Sequence, residues 1–85
     1  ETLPSAENIL LLVEVSESSL DYDRNVKLPL YARSGIPEVW ILDLSENRLY
    51  VFRHPKEGLY TEHRVLLPGE EAEPLHFPGV PIPWP

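Results

Sequence analysis

A glutamate stands within an apolar stretch near the start of the chain. Glu14 follows the run Ile9–Val13 and precedes Val15. A carboxylate without a partner in a protein core is costly, because it loses its hydration or must take up a proton. Near the end of a strand, where a side chain can reach a cleft, such a carboxylate can instead hold a hard metal ion through its oxygens.

Lys27 is the candidate partner of Glu14. It lies on a predicted helix between Asp23 and Tyr31, and the spacing of four residues places all three on one helix face. If the helix crosses over the end of the first strand, Lys27 approaches Glu14. A metal-holding carboxylate beside a lysine that orients or activates water can hydrolyse a phosphodiester. The spacing leaves a structural Glu14–Lys27 ion pair equally open.

The elements that position these residues have the order β-α-β-β-β, which predicts a mixed α/β fold. The first strand is predicted over residues 8–16 and in the sheet interior, because both of its faces are apolar. Asp23 is predicted to cap a helix that ends before Gly35, and Pro29 is expected to disturb its first part. The other strands are predicted at residues 38–44, 49–53 and 60–67. A break is expected from Pro55 to Gly58.

The chain is predicted to form one partial domain, residues 1–85, with a core at 8–67 and a tail at 68–85. Six of the ten prolines lie in the tail, which is expected to run extended without a regular helix. Strands with two apolar faces need a layer on each side, but the sequence supplies one helix. This missing cover predicts that the chain is the C-terminal part of a larger domain, and the absence of methionine agrees.

Composition limits the functions that the chain can have. Fourteen acidic and seven basic residues give a net charge of −7, whereas nucleic-acid binders are usually basic. A divalent cation weakens that objection, because it brings positive charge to the phosphate. The absence of cysteine excludes disulfides and cysteine-zinc sites. With no signal peptide or membrane span in the pattern, the sequence predicts a cytoplasmic protein, and an exposed apolar face favours a homodimer.

Other polar residues have simpler structural explanations. Asp43 closes the second predicted strand and resembles a second metal acid, but an aspartate before Leu44-Ser45 is more simply explained as strand-end or turn chemistry. The three histidines lack the spacing of a metal site. Glycine-rich nucleotide-binding motifs and the nucleophile elbow of serine hydrolases are absent from the sequence.

The ordered run from Asn8 to Leu44 resembles a known family. Its motifs are Val13-Glu14-Val15, Tyr22-Asp23-Arg24, Lys27 with Leu30-Tyr31-Ala32, Gly35-Ile36-Pro37-Glu38 and Trp40-Ile41-Leu42-Asp43. Together they closely resemble the Uma-type restriction endonucleases, a former domain-of-unknown-function family in the PD-(D/E)XK nuclease superfamily. The resemblance implies a restriction-endonuclease-like core that hydrolyses DNA.

The resemblance also implies roles for single residues. Glu14 matches the acid of the family's E-x-K element, and Ser16 stands where that element places its lysine. Lys27 on the helix resembles a relocated replacement for that lysine. Asp23 and Tyr31 support the pair from the same helix face.

A magnesium or manganese ion is the implied cofactor. Its ligands would be Glu14, a second acid and a main-chain carbonyl, here that of Val15. Asn8 occupies the place of the second acid, and an amide oxygen brings no charge to the cation. The sequence therefore predicts a metal-dependent endonuclease acting on DNA. The alternative is a catalytically impaired nuclease-like domain that serves as a binding or assembly module.

Overall fold

The computed structural model describes residues 9–18 and 20–83. Four strands form one sheet in the order β1-β2-β3-β4. Their bounds are Leu12–Ser16, Glu38–Asp43, Arg48–Lys56 and Leu59–Leu66. β1 is parallel to β2, and the remaining neighbours are antiparallel. This sheet and one helical crossover form the mixed α/β fold that the sequence predicts. No helix in the described part of the chain is long and apolar enough to cross a membrane.

The position of β1 in the sheet differs from the prediction. The expected interior strand over residues 8–16 is a shorter strand, Leu12–Ser16, and within the described residues it pairs with β2 alone. The prediction assumed that both apolar faces are covered. Leu12 does pack against the core, but Val13 and Val15 on the other face are 52% and 61% exposed. The interior placement is therefore wrong.

The connection from β1 to β2 is helical but not uniformly α-helical. It consists of α1 (Leu20–Tyr22), a π-helical segment (Asp23–Lys27) and α2 (Leu28–Arg33). Pro29 follows the π-helical segment. In a regular α-helix its ring would clash with the carbonyl of Asn25 and it would have no N–H to donate. A wider turn just before Pro29 relieves that conflict.

The two ends of this helical connection differ in how well the sequence predicts them. The expected N-cap at Asp23 is wrong, because the helix already begins at Leu20 and Asp23 is buried within it. The stop at Gly35 is confirmed. Gly35 has φ +79°, its N–H donates to the Ala32 carbonyl at 3.1 Å, and the Ile36 N–H donates to the Tyr31 carbonyl at 3.2 Å. This pair of bonds is a Schellman motif, which favours glycine.

The β3–β4 hairpin is longer than the sequence predicts. β3 continues through Pro55 to Lys56, where the sequence predicts a break. The two turn residues, Glu57 and Gly58, have φ values of 53° and 79°. Positive φ at both central residues is typical of the type I′ turn, whose twist matches that of paired strands. The glycine in this turn therefore supports continued pairing rather than a break.

The sheet separates two apolar clusters. Buried residues on the helix-facing side are Ala32, Ile36, Val39, Ile41, Phe52 and Tyr60. Those on the opposite side are Trp40, Leu49, Val51 and Ala72. Ala72 belongs to β5 (Glu71–Ala72), which pairs with β6 (Ile82–Pro83). The tail thus supplies part of the cover that the sequence analysis finds missing, and its described residues contain no helix, as expected.

Candidate active site

Glu14 lies on the helix-facing side of β1. Alternation along the strand puts it on the same face as Leu12 and Ser16. Its Oε2 accepts a hydrogen bond from Lys27 Nζ at 3.1 Å, and its Oε1 accepts one from the Tyr31 hydroxyl at 3.1 Å. The Glu14 side chain retains 23% exposure, so solvent reaches the carboxylate.

Lys27 lies close to two carboxylates and one aromatic ring. Besides Glu14, its Nζ lies 3.5 Å from Asp23 Oδ1 and 5.9 Å from the centroid of the Tyr22 ring. The hydrogen bond and the charge of Glu14 raise the pKa of Lys27 above its ordinary 10.5. Lys27 is therefore protonated at neutral pH, where it can donate hydrogen bonds and stabilise negative charge but cannot accept a proton.

Tyr31 completes the cluster from α2. Burial, followed by the charge of Glu14, raises the pKa of the Tyr31 phenol above 10.0. The phenol is thus neutral at neutral pH and donates its proton to Glu14 Oε1. Because Lys27 and Tyr31 engage different oxygens, the carboxylate is fixed in orientation by two donors from one helical connection.

The remaining predicted site residues stand in different places. Val15 points to the opposite, exposed side of β1. Ser16 is fully buried and is the Cα partner of Asp43 on β2. Asn8 lies outside the described residues. The structure therefore brings Glu14, Lys27, Tyr31 and Asp23 into one cluster, with Ser16 further along the same strand face.

Asp43 has the turn contacts that its position predicts. Its Oδ1 accepts hydrogen bonds from the Ser45 N–H at 3.1 Å and the Ser45 hydroxyl at 2.8 Å. Oδ2 is buried and has no hydrogen-bond donor within the described part of the chain. Asp43 therefore fixes the start of the β2–β3 turn.

The donor chemistry at Glu14 fits a hard cation in part. A carboxylate offers about four lone-pair positions, and Lys27 and Tyr31 use one on each oxygen. Acceptor capacity therefore remains on a partly exposed carboxylate, and oxygen ligands suit magnesium. Residues 9–18 and 20–83 contain no group of three or more His, Cys, Asp or Glu side chains arranged around one ion. The described side chains therefore do not complete a metal site around Glu14 by themselves.

A match to a family of known sequences shows which family the chain belongs to. The sequence model of the Uma2 family, described as "Putative restriction endonuclease", matches residues 1–84. The chain belongs to the Uma2 family. No curated protein and no solved structure matches it. The match covers the Glu14 cluster, the whole sheet and most of the tail, so the Uma2 relationship extends well beyond the motifs between Asn8 and Leu44.

The Uma2 chain contains a second glutamate cluster that the sequence analysis missed. Glu38 on β2 is fully buried on the face opposite Glu14. Its Oε2 accepts from Trp40 Nε1 and from Arg53 Nε, each at 2.8 Å, and its Oε1 accepts from the Leu75 N–H at 2.7 Å. Arg53 Nη2 also donates to the Glu73 carbonyl. The alternation of Glu38 and Trp40 could have shown from the sequence that both side chains lie on one face of the strand. The strand register that brings Arg53 to Glu38 could not be predicted from the sequence.

A groove of about 290 Å³ lies next to this second cluster. It is lined by Val51, Arg53, Arg64, Leu66 and residues 71–75. Size alone would favour it as a ligand site. The two cations that line it are already paired, Arg53 with Glu38 and Arg64 with Glu62 at 3.2 Å. The Glu14 cluster, with spare acceptor positions, is the better candidate for chemistry.

Proposed function

We propose that this Uma2 chain carries the catalytic residues of a metal-dependent endonuclease that hydrolyses phosphodiester bonds in DNA. One observation carries the proposal: a partly exposed carboxylate, Glu14, is oriented by Lys27 and Tyr31 and keeps acceptor capacity. The family description supports nuclease-type hydrolysis. The metal and the substrate are parts of the proposal.

The metal would be magnesium or manganese. Glu14, the Val15 carbonyl and Asn8 would hold it, and when bound it would polarise the phosphate and favour ionisation of water. Asn8 adds no charge, so the proposal includes a weak affinity for the cation.

The role of Lys27 follows from its protonation state. Since its pKa is raised, Lys27 donates hydrogen bonds to an attacking water or to phosphate oxygens and does not deprotonate the water. Its positive charge stabilises the negative charge that develops as the water oxygen bonds to phosphorus and the bond to the leaving oxygen breaks. Asp23 and Glu14 hold the ammonium in place on two sides.

Glu14→Gln and Lys27→Ala in the full-length protein test the proposal. Each is expected to abolish magnesium-dependent cleavage of a DNA duplex and to leave the circular dichroism spectrum and the thermal midpoint nearly unchanged. Glu46→Gln and Lys56→Ala are the matched controls, because both residues are exposed and neither forms an ion pair within the described residues. Full cleavage by either site variant contradicts the proposal.

A binding or assembly module is the second candidate. It is favoured by the lack, in the described residues, of three or more side chains that could hold one metal ion, and by the net charge of −7. The same experiment separates the two functions. If the chain is a binding or assembly module, the wild-type protein leaves DNA intact at every magnesium and manganese concentration but still binds its partner.

A further inference from the structure

Arg24 presents a positive charge on the helix-facing side of the sheet. It belongs to the π-helical segment, one turn before Lys27. Its guanidinium carbon lies 5.2 Å from the centroid of the Tyr50 ring and 6.0 Å from that of Phe52. A guanidinium over an aromatic face is held by the cation–π attraction. The cation–π attraction uses none of the five N–H donors of the guanidinium in a hydrogen bond to the ring's edge atoms, so these donors can bind an acceptor.

The charge of Arg24 is not neutralised by the rest of the described chain. Among the described residues, 9–18 and 20–83, no carboxylate lies within ion-pair distance of Arg24. Lys27, Arg53 and Arg64, in contrast, each pair with at least one carboxylate. Arg24 is also exposed. It is therefore a positioned cation whose hydrogen-bond donors are available to an anion from outside the chain.

Strand register gives the separation between Glu14 and Tyr50, the residue beneath Arg24. Glu14 is the Cα partner of Ile41, and Ile41 is the Cα partner of Tyr50, so the three form one row across the sheet. Two strand spacings separate Glu14 from Tyr50, or about 10 Å. Because Arg24 lies over the Tyr50 ring, its charge is on the same face of the sheet as Glu14 and within the span of a few nucleotides of one DNA strand.

We propose that Arg24, held over the Tyr50 ring, is a subsite for a backbone phosphate of nucleic acid, on the same strand as the phosphate at Glu14. The proposal rests on the proposed function, because it deepens the substrate binding of the same site. A contact of this kind fixes the position and direction of the strand without reading its sequence. It also supplies local positive charge that the chain as a whole lacks.

Salt dependence of DNA binding tests this subsite. The experiment compares full-length wild type, Arg24→Gln and Arg33→Gln by fluorescence anisotropy with a labelled DNA duplex, in EDTA, over about 50–200 mM salt. Arg33→Gln is the matched control, because Arg33 is exposed, has no ion pair in the described residues and lies against the Gly58 turn at the far end of the helix. Both variants change the net charge by the same amount.

Arg24→Gln is expected to weaken binding by about tenfold, the effect of losing one charge-assisted hydrogen bond. The slope of log affinity against log salt should become shallower by about 0.9. Arg24→Lys should keep the wild-type slope, and Arg33→Gln should match wild type. Equal effects of Arg24→Gln and Arg33→Gln overturn the subsite, as does a wild type that shows no binding at low salt.

The failure of this inference is distinguishable from failure of the proposed function. Binding is measured without a divalent ion, so it does not depend on cleavage. If Arg24→Gln lowers the slope while wild type never cleaves, the phosphate subsite stands and the nuclease proposal fails. If wild type cleaves and Arg24→Gln binds with the wild-type slope, the nuclease proposal stands and the subsite fails.

Discussion

Two glutamates lie on opposite faces of the same sheet, and each pairs with a cation. Glu38 is fully buried and accepts hydrogen bonds from Trp40, Arg53 and the Leu75 main chain. Glu14 is partly exposed and accepts from Lys27 and Tyr31. The surroundings of Glu38 are complete without any ligand, whereas Glu14 keeps positions open to solvent. An ion pair that only stabilises a fold tends to use up its donors and acceptors, and Glu14 does not.

The two cations also differ in kind. Arg53 uses the fixed geometry of its guanidinium to bind Glu38 and the Glu73 carbonyl together. Lys27 is a compact charge on a flexible stem, which suits contact with a substrate atom that changes during a reaction. The first pair therefore locks two segments of the chain, and the second holds a charge at a surface.

The largest expected difference between the pairs is in stability. Glu38→Gln removes the buried carboxylate from Arg53, which keeps only the longer contact to Glu62 at 3.6 Å, and should lower the free energy of unfolding by about 3 kcal/mol. Glu14→Gln should lower it by less than about 1 kcal/mol, since its pair is partly exposed. Urea denaturation of the full-length protein measures both. Equal losses would show that Glu14 has the same structural role as Glu38.

Replacing each of the two cations by the other basic residue should change stability less than replacing Glu38. Arg53→Lys cannot hold Glu38 and the Glu73 carbonyl together, so we expect a loss of about 0.5–1.5 kcal/mol, the contribution of one hydrogen bond. Lys27→Arg should change stability by about 0.5 kcal/mol or less, as at most exposed positions. The comparison uses the same denaturation midpoints. A tolerated Arg53→Lys contradicts the two-contact account.

Removing the second donor to Glu14 should have an effect on stability no larger than that of Arg53→Lys. Tyr31→Phe deletes one hydrogen bond at a partly exposed carboxylate, for which we expect about 0.5–1.5 kcal/mol of stability. Cleavage should fall further than this loss explains, because Glu14 Oε1 is no longer oriented. Tyr60→Phe is the control, since it keeps the ring and deletes a hydrogen bond to the Ile36 carbonyl instead of one to Glu14. A cleavage rate unchanged in Tyr31→Phe argues against orientation by the phenol.

The smallest expected effect appears only at alkaline pH. The pKa values of Lys27 and Tyr31 are both raised in the folded chain, so the unfolded chain releases their protons first. Their stabilising contributions are therefore complete below about pH 10 and decline as the pH rises through the folded pKa values. Above about pH 10, the free energy of unfolding of a Lys27→Gln, Tyr31→Phe double variant should fall less with rising pH than that of wild type. Parallel pH profiles contradict this prediction.

The sequence predicts the contact between Glu14 and Lys27 for physical reasons. The helical spacing of Asp23, Lys27 and Tyr31 fixes one polar face, and a crossover between parallel strands must pack over the sheet. The glycine stop at Gly35 follows from equally local chemistry. These features depend on short stretches of chain whose geometry has few alternatives.

Other features depend on contacts between distant segments. The Glu38 cluster requires the β2–β3 register and the docking of Leu75, 37 residues away. The edge position of β1 could not be predicted from its apolar run, because the sequence does not show whether a given valine is buried or exposed. The π-helical segment was visible only as a conflict at Pro29, and Arg24 became notable only when Tyr50 was found beneath it.

The acidic, proline-rich end of the chain has the composition of a segment that is often removed as dispensable. Its main chain accepts a hydrogen bond from Arg53 and donates one to Glu38, and Ala72 is buried against the sheet. Trimming the chain near Pro68 would therefore expose Trp40 and Val51 to water and leave Glu38 short of a donor. A shortened version made for easier expression would be expected to precipitate, although everything around Glu14 had been kept.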